Sequence, residues 1–428
     1  MKKTAVVFFV LFFSAYDFFA QADYVNKAAK AKAVNPKIYF DAYNYAASDS
    51  GKTKIRIFFQ VPFTSLSFVK KNGKFASLYS IEVAFYDSSG SRMLFEKIWK
   101  ERVFVMDYSK AINRNNFNLT YKEIELPPAF YKLKITLIDK YALSKVHFVK
   151  KIRVRKIDPA FGVSDIMLFD RKIKRGGKEE LVPNVKNIVT TGSDSLNVFY
   201  YAYSNKDRNV LINYRLYSFK SDEAFIVNES VLLKKGKNKM AYTIKPVNFK
   251  LGRYNIRIMI TDDATGEKLA IAKNIFARIK FFPPSITDLD LAIREMQYIA
   301  TPTQIDDMLS TKDYGERLRK FEEFWKKKDP SPGTPINEVL YEYYRRVEYA
   351  NKHFKHYFPG WKTDMGKVYI TLGPPHQIDR HPLELDSKPY EVWYYYDINR
   401  EFVFVDETGF GDYRLITPLY GDWYRYRN

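Results

Sequence analysis

The residues able to do chemistry are limited in kind. The 428-residue chain contains no cysteine and five histidines, His147, His353, His356, His376 and His381. Without thiols there is no thiolate nucleophile, no disulfide framework and no cysteine-ligated zinc or iron–sulfur centre. His353 and His356 lie one helical turn apart, and His376, Asp379 and His381 follow in a loop, so a divalent-metal set can be drawn. The spacing is not that of a His-Glu-x-x-His zinc helix, and solvated surface histidines are the simpler reading, with His147 on the polar face of a strand. No metal and no other cofactor is expected. Gly51-Lys52-Thr53 ends like a phosphate-binding loop, but Ala46 stands where its first glycine belongs and strands flank it. Gly192-Ser193-Asp194-Ser195 lacks the last glycine of a nucleophile elbow. The carboxylate pairs Glu322-Glu323 and Asp306-Asp307 are neighbours on helices, where adjacent side chains diverge. What remains is a recognition set in the last third of the chain: Trp361, Thr363, Asp364, Trp393, Asp412 and Arg414. Tryptophan rings, with Trp423 and the run Tyr394-Tyr395-Tyr396, offer flat apolar walls, and the carboxylates and guanidinium offer directional hydrogen bonds at a rim. A competing account makes the same residues architecture. Gly360 would be a positive-φ helix stop, Trp361 a ring packed between helix and sheet, and Asp364 a turn former whose carboxylate takes backbone N–H groups.

The elements that must position these groups change character along the chain. From Asn35 to Lys156 apolar and polar residues alternate in Lys37–Tyr45, Lys54–Val61, Leu78–Tyr86, Leu94–Val105, Leu119–Leu126, Tyr131–Asp139 and Val146–Val154, punctuated by turns such as Lys71-Asn72-Gly73. Period-two alternation means one buried and one wet face, so seven such runs predict an antiparallel β-sandwich over residues 35–157. A second series at Asp165–Phe169, Leu196–Tyr203, Asn209–Tyr217, Lys239–Ile244, Tyr254–Ile260 and Leu269–Ile275 predicts another Ig-like sandwich over 160–281. At Phe281-Phe282-Pro283-Pro284 the pattern turns helical. Thr301-Pro302-Thr303-Gln304 has the residues of a capping box, and Thr334-Pro335 is expected to open a long helix whose apolar stripe runs from Ile336 to Phe358. Strands are expected again at Lys367–Leu372, Tyr390–Tyr396 and Glu401–Asp406, giving an α+β domain over 285–428. The fold class is therefore multidomain and mainly β: two tandem sandwiches followed by helices and a small antiparallel sheet.

Gly360-Trp361-Lys362-Thr363-Asp364, followed by Met365-Gly366-Lys367-Val368-Tyr369 and Gly373-Pro374-Pro375, resembles the signature of the bacterial GWxTD-domain family. Phe324-Trp325 through Pro330, Tyr343-Tyr344-Arg345-Arg346-Val347-Glu348-Tyr349-Ala350-Asn351, Tyr390-Glu391-Val392-Trp393 and Gly409-Phe410-Gly411-Asp412-Tyr413-Arg414-Leu415 are similar to the same family in order. The resemblance implies an exported architecture of β-modules ahead of this domain, and it brings no established activity. His376 stands where family members usually carry an acidic residue.

Charge divides along the same line. Lys and Arg outnumber Asp and Glu by 21 overall, by 12 in residues 1–150 and by 13 in 151–280, whereas acids lead by 4 in 281–428. Wet strand faces need such polar cover, and lysine discourages edge-to-edge pairing. The excess also allows weak contact of the β-modules with an anionic surface. Nucleic acid is not an expected partner, because no recognised module appears. Lys2-Lys3, the apolar run Ala5–Ala15 and Ala20-Gln21-Ala22 read as a signal peptide over 1–22, cleaved after Ala22 or Ala20. With no cysteine after it, the expectation is a periplasmic or secreted protein that is neither a lipoprotein nor membrane-spanning. The expected function is non-enzymatic: basic sandwiches hold a C-terminal domain that binds an envelope glycan or protein partner. The alternative is a hydrolase of glycan or peptide working through carboxylates such as Asp364 and Asp412.

Overall fold

The computed structural model describes residues 37–417, except 50, 114, 176, 220–223, 246, 335 and 383–387. The predicted signal peptide and Trp423 lie outside the described residues. Among these, no helix is long and apolar enough to cross a membrane.

The first sandwich comprises β1 (Tyr39–Ala46), β2 (Thr53–Pro62), β3 (Val69–Lys71), β4 (Lys74–Tyr86), β5 (Met93–Val105), a short helix α1 (Tyr108–Ile112), β6 (Phe117–Leu126), β7 (Ala129–Asp139) and β8 (Lys145–Val154). One sheet has the order β1-β2-β6, and the other β3-β4-β7-β8 with β5 also paired to β4. Alternation sends Ile55, Ile57, Phe59 and Val61 of one sheet against Tyr79, Ile81, Val83, Phe85, Leu133 and Ile135 of the other, all buried in one core. Asn72 and Gly73 both take positive φ, 50° and 73°, which the two-residue hairpin turn between β3 and β4 requires.

The second series comprises β9 (Phe161–Val163), β10 (Met167–Arg175), β11 (Lys178–Pro183), β12 (Ile188–Thr190), β13 (Leu196–Ser204), β14 (Arg208–Ser218), β15 (Ala224–Leu233), β16 (Gly236–Ile244), β17 (Gly252–Asp262) and β18 (Lys268–Arg278). Its sheets run β11-β10-β13-β16, with β9 on β13, and β12-β18-β17-β14-β15. Strands β11, β12 and β15 carry no clear period-two signal and were not among the runs expected from sequence. The chain divides into two compact units, and β13 and β16 each have residues in both. The first unit holds the first sandwich and residues to Lys186. Within it Asp165 accepts from the Asn44 backbone N–H at 2.9 Å and from Arg155 Nε at 2.9 Å, tying β1 to the segment before β10.

The second unit holds the β12–β18 sheet, apart from Arg208 and Leu233 at its ends, and everything after it. Helices α2 (Leu289–Glu295), α3 (Pro302–Ser310), α4 (Tyr314–Lys327), α5 (Glu338–His353) and α6 (Asp364–Leu372) precede a sheet of order β19-β20-β21-β22, made of Gln377–His381, Tyr390–Tyr395, Arg400–Asp406 and Tyr413–Leu415. The mainly β architecture with C-terminal helices and a small antiparallel sheet is as the patterning predicts. The capping box is present as read: Thr301 and Gln304 satisfy each other's backbone N–H groups.

Three local expectations are corrected. Lys367–Leu372 is helix, not strand: α6 is buried on nearly every side, which erases the period that separates the two, and Thr363 caps it. The long helix begins at Glu338 with Asn337 as its cap and ends at His353, because Asn337 Oδ1 takes the Leu340 N–H at 3.0 Å. Gly360 is not a positive-φ stop but opens a short 3₁₀ turn, Gly360–Lys362.

Candidate functional site

The Gly360–Asp364 signature is a junction in which each letter has a separate physical task. A Cβ on Gly360 would lie 1.9 Å from the Ala350 carbonyl oxygen of α5, so only glycine permits this approach. Trp361 is 4% exposed and packs in the helical core with Leu289, Trp325 and Val347. Its backbone is held twice: its N–H donates to Asn351 Oδ1 at 3.1 Å, and its carbonyl accepts the Tyr298 hydroxyl at 2.8 Å. Thr363 Oγ1 donates to the Gly360 carbonyl at 2.8 Å and accepts the Gly366 N–H at 3.0 Å, capping α6. A Cβ on Gly366 would lie 1.9 Å from the Gly360 carbonyl oxygen, so the turn and the helix close upon each other. The Asp364 carboxylate accepts the Leu415 N–H at 3.1 Å and straps β22 to the start of α6. At the other end of α6, Arg346 donates to the carbonyls of Ile370 and Thr371 at 3.2 and 3.3 Å, satisfying groups that the helix leaves open.

Beside this junction, in the same unit, is a cleft of about 570 Å³ between the end of α5, α6, β19–β20 and the loop before β22. Tyr349 and His353, one turn apart on α5, stack at 3.9 Å, and Tyr349 also stacks on Tyr369 of α6 at 4.3 Å and 11°. Phe354 meets Trp393 at 5.4 Å and Tyr369 edge-on at 5.6 Å, completing an aromatic wall. Burial pushes the Tyr369 hydroxyl up, so it stays protonated.

Polar groups line the same cleft. Glu391 accepts from Trp393 Nε1 at 2.9 Å and from Arg380 Nε at 3.1 Å, Arg380 being its partner across the β19–β20 register. Asp412 accepts from Arg414 at 2.9 Å. His356 Nδ1 is buried and has no hydrogen-bond partner among the described residues. The loop that brings Gly411 and Asp412 here is folded around Asp406, whose carboxylate accepts the N–H groups of Gly411 at 2.6 Å and Gly409 at 3.0 Å. Burial raises the Asp406 carboxyl, yet these donors outweigh it and hold it below the usual range.

Of the six residues expected to form a site, Thr363, Trp393 and Asp412 line the cleft. Trp361 belongs to the helical core, and Trp393, 1% exposed, backs the wall instead of presenting a free face. Asp364 and Arg414 are not lining residues: one holds β22 and the other pairs with Asp412. The wall itself, Tyr349, Phe354 and Tyr369, carries in sequence only the signal of an apolar stripe or a family motif. Their spacing is that of ordinary core, and the gap beside them is a property of the packing. His353 and His356 line the cleft, whereas His376 Nδ1 accepts the Tyr396 N–H and His381 stacks on Tyr390. Among the described residues no group of three or more His, Asp or Glu side chains is placed to hold a metal.

Residues 258–415 match the family model of the GWxTD domain, and this part of the chain is a GWxTD domain. The match reaches back into β17 and β18, ahead of the boundary at 285 expected from composition. No curated protein matches the chain. Among solved structures it is similar to a red sea bream transglutaminase, with 9% identity and a TM-score of 0.18 over 61% of this chain and 34% of that one. It is also similar to a calcium-binding mutant of Bacteroides uniformis beta-glucuronidase 2, with 8% identity and a TM-score of 0.20 over 59% and 33%. The matched stretch thus spans about a third of the length of these structures.

Proposed function

We propose that the GWxTD domain is a recognition domain of an exported, non-enzymatic protein, and that its ligand is an envelope glycan or an extended peptide of an envelope partner. The observation that carries this reading is that the aromatic wall of Tyr349, Phe354 and Tyr369 and the polar groups of Arg380, Glu391, His356 and Asp412 line one cleft. An apolar wall with a few convergent polar groups is the composition of a site that takes a ligand with one flat apolar face and polar substituents. A sugar ring fits that description, as does a planar side chain on an extended peptide. The unpartnered His356 Nδ1 supports the reading, because a buried polar atom normally has a partner and a ligand would supply one. The sandwiches then serve as spacers that hold the domain in the envelope.

The test is co-sedimentation of the full chain with isolated cell-wall glycan and, separately, crosslinking to envelope proteins. Trp361→Ala is a poor probe, since emptying that core site costs about 3–5 kcal/mol of folding stability. Tyr349 is exposed at the cleft edge, so Tyr349→Ala with Arg380→Ala should lower retention at least tenfold while the melting temperature changes little. Undiminished retention by the folded double variant would overturn the assignment of this cleft.

A further inference from the structure

The outer face of the β3-β4-β7-β8 sheet, in the first unit, gathers cations that are scattered in sequence. The core-facing residues of β4 and β7 are Tyr79, Ile81, Val83, Phe85, Leu133, Ile135 and Leu137, so the intervening residues face outward. Cross-strand register then aligns Lys100–Ser80–Ile138–Lys145 in one row, Glu96–Ala84–Lys134–Val149 in another, and Tyr86–Lys132–Lys151 in a third. Arg102 lies opposite Leu78 at one end, and Arg153 opposite Phe130 at the other. Seven cations of β5, β7 and β8 share this face with two acids, Glu82 and Glu96. None of the seven makes an ion pair with a described residue, unlike Lys122 and Arg56 elsewhere in the same sandwich.

The same face carries large apolar side chains in the open. Ile98, Phe104, Phe130 and Val149 are 55%, 57%, 63% and 51% exposed. Arg102 sits over the Phe104 ring at 5.9 Å, and Arg153 over Phe130 at 5.6 Å. On β4, between β5 and β7, Ser80 and Ala84 are small and buried and keep the surface low. A wet sandwich face needs only polar outward residues, and solubility does not account for the apolar ones. Cations alone would suit any polyanion. Cations interleaved with protruding apolar side chains suit an anionic bilayer, where charge attracts the face to the headgroups and apolar groups enter the acyl boundary.

We infer that the outer face of this sheet docks the protein on an anionic lipid surface, through Lys100, Arg102, Lys132, Lys134, Lys145, Lys151 and Arg153 and the side chains of Ile98, Phe104, Phe130 and Val149. This is independent of the cleft in the GWxTD domain. The test is sedimentation of the full chain with vesicles of phosphatidylglycerol and phosphatidylcholine mixed, and of phosphatidylcholine alone, at low and high salt. Binding is expected only to the anionic vesicles. It should fall at least tenfold in the variant carrying Lys100→Glu, Lys134→Glu and Lys151→Glu, but not in a control of equal charge change, Lys235→Glu with Lys239→Glu and Lys245→Glu. Ile98→Ser with Val149→Ser should leave low-salt binding and lose what survives at high salt. Equal loss in the face and control variants would reduce the effect to net charge and overturn the proposal. Retention on a soluble polyanion, heparin, with none on vesicles would also overturn it, in favour of an acidic polymer. Should the triple variant fail to fold, hydrogen exchange on the unaltered chain decides: vesicles must slow β5 and β8, and protection confined to other segments sinks the idea.

Discussion

At the scale of single residues, Glu295 is a buried acid whose placement is costly. It is buried at the end of α2 in the helical core, where Asn351 Nδ2 donates to it at 3.3 Å while Asn351 Oδ1 holds the Trp361 N–H. Burial pushes its carboxyl from 4.5 up to about 7, with Asp288 adding to the rise and Asn351 opposing it. An acid with a raised folded-state pKa is protonated in the folded protein while the unfolded chain has already released its proton. Stability therefore falls as pH rises from 4.5 towards 7, and stays low above that. The gap corresponds to roughly 3 kcal/mol. Glu295→Gln keeps an acceptor for Asn351 without the charge, so it should leave stability at pH 4.5 nearly unchanged and raise it at pH 8. Urea midpoints at both values test this, and an equal shift at the two would mean that Glu295 is not the titrating group.

At the scale of elements, the short helix α6 is made stable by what surrounds it. Nine residues are too few for a helix to persist on local hydrogen bonds alone. The Thr363 cap, the Arg346 bonds to its last carbonyls and the burial of Met365, Val368, Tyr369 and Ile370 supply the difference. The tyrosine of this helix is half of the stacked pair in the cleft, so the cap and the cleft wall meet in one element. Thr363→Ala removes both the cap and the hydroxyl bond to Gly360, and should cost about 1–2 kcal/mol in denaturant melts. Thr363→Ser retains both bonds and should cost well under half of that. If serine is as damaging as alanine, the methyl packing and not the hydroxyl is responsible.

At the scale of the whole molecule, the GWxTD domain does not begin where the composition changes. Leu251 and Ile279 are buried in the same core as Trp325, Tyr343 and Trp361, and the Leu251 N–H donates to the Tyr314 hydroxyl at 2.7 Å. These contacts belong to the second unit, and the family match likewise starts before β18. A fragment of residues 285–428 lacks Leu251, Ile279 and Phe282 and leaves their apolar partners open to water. It should melt at lower temperature and less cooperatively than the intact chain, and bind a dye of exposed apolar surface. A sharp melt at the intact chain's temperature would show that the helical core closes without them.

The alternation in Lys54–Val61 or Tyr131–Asp139 determines a sandwich strand whatever surrounds it, because period two leaves one face that must find an apolar partner. The capping box at Thr301 and the turn at Asn72-Gly73 are likewise local, settled by side chains within three residues of the backbone they serve. The class of the domain is legible from its ordered motifs. That Trp361 packs as a buried ring and that Asp364 accepts a backbone N–H are legible too, but their partners are not, since Gly360 answers to Ala350 and Asp364 to Leu415, 10 and 51 positions away in sequence. The same holds for the cleft, because a cavity is where packing stops, and residues such as Tyr349 and Tyr369 look like core until the neighbour on one side proves to be missing. Lysines 100, 134 and 151 become a single surface only when strand register lays them on one face of the sheet. Sequence sets what each segment requires nearby, and the tertiary structure decides which distant residues meet that requirement and where none does.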